Sequence, residues 1–337
     1  MHAIRLHAFG PPENLRHEEV PDPHAGPGQV RIAVTAAGVH LVDTALRAGP
    51  VGGRFPTPEL PTIPGREVAG TVDEVGEGTD PSWLGRRVVA HLGMVPGGYA
   101  ELAVTTPDHL HPLPDGLGED HAIAMVSTGR MTMGIIRFAD VTEADTVLVL
   151  AAAGGIGALL VQYAKLKGAV VIGAAGGPAK ADAVRDLGAD LAVDYDRPGW
   201  ADHIRAKYGD RPATLAFEGV GGDLGRTAMR LLAPGGTHLT YGYASAGPGS
   251  GEAATLPETE LVAREITSRS VLGPALFDKI GGPENLRVLE EEALAHAAAG
   301  TLVPLVHHFP LADAAAAHRA LESRATIGKV VLIPRRA

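Results

Sequence analysis

The sequence predicts an α/β chain: a doubly wound parallel sheet beside a smaller, strand-rich domain. Three observations predict it. A strand–turn–helix–strand unit with glycines at its turn occupies Val147 to Gly173. Helix-length and strand-length apolar segments alternate after it. Ahead of it, short runs of period-two alternation are separated by clusters of Gly, Pro and Asp. Alternating strands and helices close into a parallel sheet, whereas closely spaced short strands suit a small barrel or sandwich.

The chain has 337 residues, enough for two domains. Aromatic residues make up only 4%, so the cores are built from Ala, Val, Leu and Ile. A formal charge of -10 argues against nucleic acid or an anionic membrane as partner. The chain has no cysteine, which excludes disulfides and thiolate metal sites and suits a reducing cytoplasm. Met1 leads into mixed polar and apolar residues without a secretory pattern, and no apolar run is long enough to span a membrane.

In chain order, residues 1–123 are expected to be strand-rich. Val30 to Val34 and part of Gly70 to Val75 alternate, between separators such as Pro21-Asp22-Pro23 and Gly26-Pro27-Gly28. Residues 124–276 are expected to form the wound sheet. Val147 to Leu150 reads as a strand buried on both faces. Ala152-Ala153-Gly154-Gly155-Ile156-Gly157 makes the turn, and Ile156, Leu159, Leu160, Tyr163 and Leu166 fall at helical spacing. Gly168 ends that helix before the strand Val170 to Ile172. Helices follow at Pro178 to Leu187, Trp200 to Lys207 and Leu224 to Leu232. Strands follow at Leu191 to Val193, Thr214 to Phe217 and Thr237 to Tyr241, with Val271 and Leu272 marking the last. The tail, 277–337, contains helices at Leu286 to Ala299 and Ala312 to Leu321, and strands at Leu305 to Phe309 and Lys329 to Ile333.

The glycine turn suits a dinucleotide. Without a Cβ the backbone can approach a pyrophosphate, and the helix N-terminus offers unpaired N–H groups and a positive dipole end. Tight strand-to-helix turns also use glycine for packing alone, and both readings stay open at this point. Ala152 stands where the usual G-x-G-x-x-G pattern has its first glycine.

From end to end the chain resembles the medium-chain dehydrogenase/reductase superfamily, and within it the zinc-free quinone oxidoreductase (zeta-crystallin-like) branch. The segments that carry the likeness are Gly38 to Asp43, Pro61 to Gly70 with Val75-Gly76, Gly97 to Glu101 and the Ala152 to Gly157 turn. The others are Gly188-Ala189-Asp190 with Tyr195, Pro234-Gly235-Gly236 with Gly242, and Gly328 to Leu332. The resemblance implies a GroES-like first domain, a Rossmann domain, a C-terminal segment returning to the first domain, and an active cleft between the two. It implies nucleotide contacts at Ala153, Gly154, Gly155, Ile156, Gly157, Gly173, Lys180, Tyr195, Gly219, Gly242 and Tyr243. It also implies a homodimer paired through the Rossmann sheet edge, near Ser268 to Pro274.

Zinc enzymes of this superfamily hold a catalytic metal with Cys, His and Cys. The first position is His40 here, the second is Arg66, and no cysteine exists for the third. One imidazole beside Glu67, with a guanidinium next to it, does not make the open three-ligand site that catalytic zinc needs. No metal is expected.

His40, where this branch often has Asn, has two readings: a hydrogen-bonded histidine at a domain face, or a donor to the substrate. Asp43 either orients it or holds the loop. His91 is a second donor candidate. Arg66 reads as a salt-bridge residue, Tyr99 as core, Glu290-Glu291-Glu292 as a solvated helix face, and the remaining histidines as surface residues. The pattern offers no account of Arg130.

The second strand ends in Ala174-Ala175-Gly176-Gly177 without a carboxylate for ribose hydroxyls, and Lys180 matches a 2′-phosphate ligand, so NADPH is the expected cofactor. With no metal, thiol or flavin motif, the expected reaction is direct hydride transfer to a small electron-poor acceptor, a quinone or conjugated carbonyl compound, held at roughly 3–3.5 Å. Reduction of enones or 2-enoyl thioesters on the same scaffold is the nearest alternative. A nucleotide-binding sensor or structural protein without turnover is the alternative of another class.

Overall fold

A computed structural model of the chain describes residues 1–50, 56–244, 253–271 and 273–334. Among these residues no helix is long and apolar enough to cross a membrane. The chain divides into two compact units, Met1–Thr128 with Glu290–Ala337, and Gly129–Leu289.

The first unit opens with an antiparallel pair, β1 (His2–Leu6) and β2 (Leu15–Glu19). β3 (Val30–Val39) is followed directly by α1 (Leu41–Ala48), then by β4 (Glu67–Val75), β5 (Arg87–His91), β6 (Leu102–Thr105), β7 (Leu110–Pro112) and α2 (Glu119–Ala124). Along β3, Val30, Ile32 and Val34 point inward in period two, and from Ala36 onward every residue is buried. The β3–β4 register shifts between Val34 and Ala36. Gly70 faces this bend, where a Cβ would lie 2.0 Å from the Ala33 carbonyl oxygen.

The second unit runs through α3 (Arg130–Ile136), β8 (Thr146–Leu150), α4 (Gly155–Leu166), β9 (Val170–Ala175), α5 (Pro178–Asp186) and β10 (Leu191–Asp194). It continues through α6 (Trp200–Tyr208), β11 (Ala213–Glu218), α7 (Gly222–Arg230), β12 (Leu232–Thr240), α8 (Glu258–Arg264), β13 (Thr267–Ser270) and α9 (Pro274–Ile280). Its six parallel strands are ordered β10-β9-β8-β11-β12-β13, so the order reverses between β8 and β11. That reversal is where such sheets bind ligands, beyond the carboxyl ends of the strands. Leu148, Leu150 and Ile172 are wholly buried, as strands covered on both faces require.

The chain leaves the second unit within α10 (Leu286–Ala298). β14 (Val306–Pro310), α11 (Ala314–Glu322) and β15 (Lys329–Ile333) follow. β15 pairs antiparallel with β3, and β14 pairs parallel with β15. The resulting sheet has the order β14-β15-β3-β4-β5-β7, with β6 also on β3.

Two elements differ from the sequence reading. β12 begins at Leu232, ahead of Thr237, because a register jump absorbs Pro234, which has no N–H to donate. The edge strand β13 is Thr267–Ser270, shorter than the segment to Pro274, and its four residues are all exposed. The Val271 N–H still reaches the Thr240 carbonyl at 3.0 Å, but Gly273 turns the chain at φ 66° and Pro274 opens α9. Leu272 and the loops at 51–55 and 245–252 lie outside the described residues.

Candidate active site

In the second unit, β8 delivers the chain to Ala151 at φ 50°, rare for a residue with a Cβ. The Ala152 N–H donates to Ala174 at 3.0 Å and the Gly154 N–H to Ala151 at 2.8 Å, which pins the turn. Gly154 caps α4 in extended conformation, and Gly155, Ile156 and Gly157 form the first helical turn beside buried Ala153. First-turn N–H groups have no partner inside a helix and carry its positive dipole end.

The glycines divide by task. A Cβ at Gly157 would lie 2.2 Å from the Ala151 carbonyl oxygen, and one at Gly173 would lie 2.3 Å from Val184 Cγ1, so both serve close helix–strand packing. At Gly154 the nearest atom to an added Cβ is Ala151 O at 3.1 Å. Gly219 gives room to the Tyr241 ring, and Gly242 lies against the Gly219 backbone. Tyr243 follows it, 43% exposed. Lys180 lies in the first turn of α5 and Tyr195 just past β10, both partly exposed. No carboxylate ends β9. The acid sits one strand over, where Asp194 accepts from the Gly177 N–H at 2.7 Å and the Asp196 N–H at 3.0 Å. The Gly177 hydrogen bond above all holds its carboxyl below the usual range. The backbone cradle at α4 fits a pyrophosphate.

Glu218 in this region escaped the sequence reading. It is wholly buried at the end of β11 and accepts from the N–H groups of Val220 and Gly221, the latter at 2.7 Å. It ties down the loop after Gly219. A carboxylate ending the apolar run Leu215-Ala216-Phe217 is the signal that could have found it.

In the first unit, His40 caps α1, and its N–H donates to Asp43 Oδ2 at 2.8 Å. Asp43 therefore fixes the helix start. The His40 Nε2 lies 2.5 Å from Glu67 Oε1 and 2.9 Å from Lys329 Nζ, and Lys329 Nζ lies 2.9 Å from Glu67 Oε2. Glu67 is wholly buried and Lys329 nearly so, while the His40 side chain is 22% exposed. Only the Lys329–His40 contact has hydrogen-bond geometry; both Glu67 oxygens lie off axis and act as ion-pair partners. Gly38 makes the space, since a Cβ there would lie 2.1 Å from Glu67 Oε2 and 3.1 Å from Lys329 Cε.

Burial opposes ionisation of Glu67. The charges of His40 and Lys329, the contact with His40 and the more distant His91 outweigh it and hold the carboxyl well below the usual carboxylate range. His91 stands opposite Glu67 in the β4–β5 register, and its Nδ1 accepts from the Gly93 N–H at 3.1 Å. Both histidines singled out in the sequence thus act on the charge of one carboxylate.

A second buried network lies beside the first. Tyr99 Oη donates to Asp43 Oδ2 at 3.2 Å and is 3.2 Å from His318 Nε2, and Arg66 pairs with Asp43 at 3.6 Å. Burial, then Asp43, pushes the Tyr99 hydroxyl well above its ordinary pKa. Burial carries His318 down to about 4. Tyr99 is therefore a network member as well as core. His318 and His238 are wholly buried and His111 nearly so, against the expectation that they lie on the surface. On α11, His318 shares the inward face with Ala314 and Ala317, which helical spacing places together. A cavity of about 410 Å³ opens next to this network, lined by Asp43, Leu46, Arg66 and Met94 among others.

The model of the alcohol dehydrogenase GroES-like domain matches residues 26–115, and that of the zinc-binding dehydrogenase domain matches residues 155–282. The chain is similar to a quinone oxidoreductase of Pseudomonas aeruginosa, 32% identical over 98% of this chain and 99% of the relative. A 2-haloacrylate reductase of a Burkholderia species is 32% identical over 98% of both chains. The Escherichia coli quinone oxidoreductase crystallised with NADPH superposes with a TM-score of 0.81 at 27% identity, over 99% of this chain and 100% of that one. The His40 cluster does not fit a catalytic zinc: a buried ammonium occupies the Nε2 side of the imidazole, and the chain has no cysteine.

Proposed function

Because the chain belongs to the quinone oxidoreductase family of the medium-chain dehydrogenase/reductases, we propose that it is an NADPH-dependent reductase of quinones and related electron-poor conjugated carbonyl compounds. The observation that carries this reading is the His40–Glu67–Lys329 cluster, which fixes an imidazole in place with a residue set that does not fit a catalytic zinc.

NADPH, when bound, supplies the hydride. The N–H groups of Gly155, Ile156 and Gly157 hold its pyrophosphate. Lys180 and Tyr195 take the adenosine end, where the lack of an acid on β9 suits a 2′-phosphate. Gly219, Gly242 and Tyr243 line the remaining nucleotide path. His40 offers its Nδ1 edge to the acceptor oxygen, where charge develops as the acceptor is reduced, with His91 as the second candidate. The Burkholderia relative supports a second reading, in which the acceptor is another activated alkene such as an enone or enoyl thioester. We place the protein in the cytoplasm, which suits a cysteine-free chain, as a homodimer paired along the exposed strand β13.

An acceptor panel of quinones, enones and enoyl thioesters with NADPH tests the reaction. No NADPH consumption with any of them would leave a nucleotide-binding sensor. His40→Ala is expected to lower kcat about 100- to 10,000-fold with NADPH binding intact. His40→Asn is expected to recover much of the rate if hydrogen bonding is the role. Full kcat in His40→Ala across the pH range would remove His40 from the chemistry.

A further inference from the structure

A neutral imidazole is a poor acid at one nitrogen unless the other gains a proton as the first is lost. In this site Nε2 sits 2.9 Å from an ammonium with hydrogen-bond geometry, and Glu67 is close but off axis. The arrangement holds His40 as the tautomer with its proton on Nδ1, the edge free of Glu67 and Lys329. We infer that Lys329 is the proton source behind His40, a positioning residue that recharges Nε2 as Nδ1 gives its proton to the acceptor.

The inference rests on the reading of His40 above. One N–H bond breaks at Nδ1 and an O–H bond forms on the acceptor. One N–H bond breaks at Lys329 Nζ and one forms at Nε2. The acceptor gains the cofactor's hydride and one proton, and the neutral amine later recovers its proton from solvent through His40.

Glu67, 2.9 Å away, offsets the burial of the ammonium, and Gly38 leaves the room for both. Among the described residues, the charged and titratable groups facing the imidazole are Glu67 on β4, Lys329 on β15 and, through Glu67, His91 on β5. The Asp43 carboxylate on α1 accepts from the His40 N–H, with Arg66 paired to it.

Two variants test this. Lys329→Arg keeps the positive charge against Glu67 but cannot give up a proton. Glu67→Gln/Lys329→Met removes both charges at similar volume. Both are expected to lower kcat on a quinone about 100-fold, with the NADPH dissociation constant and the melting temperature little changed. Their kcat should also follow pH differently from the wild type's, because the proton must then come from solvent during the step rather than after it. Full kcat in Lys329→Arg with the wild-type pH profile would overturn the relay, since charge alone would suffice. Parallel loss of kcat and NADPH binding in both variants would also overturn it, by showing a structural role. If His40→Ala keeps full kcat, the reading of His40 fails. If His40→Ala is impaired while both Lys329 variants are not, the relay alone fails.

Discussion

The nucleotide turn and the His40 cluster are built in opposite ways. The turn is made of backbone: six consecutive positions, Ala152 to Gly157, three of them glycine, whose main contribution is close backbone approach. The cluster is made of side chains from three strands' worth of chain, and His40 and Lys329 are separated by 289 positions. The first tolerates little volume, and the second tolerates little change in charge. A site defined by backbone is written locally, whereas a site defined by converging side chains exists only once the sheet has closed.

The largest test of this contrast is Lys329→Met alone. It strands the Glu67 carboxylate in a wholly buried position, and urea denaturation should show a loss of about 3–5 kcal/mol. The paired change Glu67→Gln/Lys329→Met should lose far less, and equal losses would mean that packing, not charge, organises the cluster.

The next effect is on pH. The unfolded chain protonates His318 near pH 6.5, while the folded chain does so only near about 4. The unfolded state therefore binds more protons in that window, and stability falls as pH drops from about 6.5 to about 4, by about 3 kcal/mol. His318→Gln should flatten that slope in pH-dependent denaturation, and an unchanged slope would show that other groups govern it. Glu67, held low, adds its own loss only below the ordinary carboxylate range.

Smaller still is Gly157→Ala. The new methyl would meet the Ala151 carbonyl at 2.2 Å, and a loss of about 1–3 kcal/mol with weaker NADPH binding is expected by denaturation and titration. The smallest is Lys180→Ala, which should weaken NADPH about tenfold, or about 1.4 kcal/mol, and leave NADH nearly unchanged. Equal losses for both nucleotides would take Lys180 out of 2′-phosphate recognition.

The same contrast explains what was legible in the sequence. The α4 turn, the alternating strands and the resemblance all rest on contiguous residues, so the fold class followed from them. His40 and His91 could be singled out, but their meeting at Glu67 depends on the β4–β5 register and on β15 lying against β3. Glu67 entered only as a poor metal ligand, and Lys329 only as part of Gly328 to Leu332. A lysine opening the apolar strand Lys329-Val330-Val331-Leu332 was the available sign of a buried pair. β12 and β13 shifted for local reasons, a proline inside one ladder and a glycine turn ending the other.

The pairing of β15 with β3 also orders the protein's synthesis. A ribosome makes β3, β4 and Glu67 early, then the entire six-stranded sheet of the second unit, and only then Lys329. Until that strand emerges, the Ala37–Val39 end of β3 offers open backbone groups to any passing chain, and the Glu67 carboxylate lacks its lysine. The nascent protein must pass through a long interval with its earliest sheet unsealed, the stage at which chains aggregate or call on chaperones. The unit begun first on the ribosome is the one finished last.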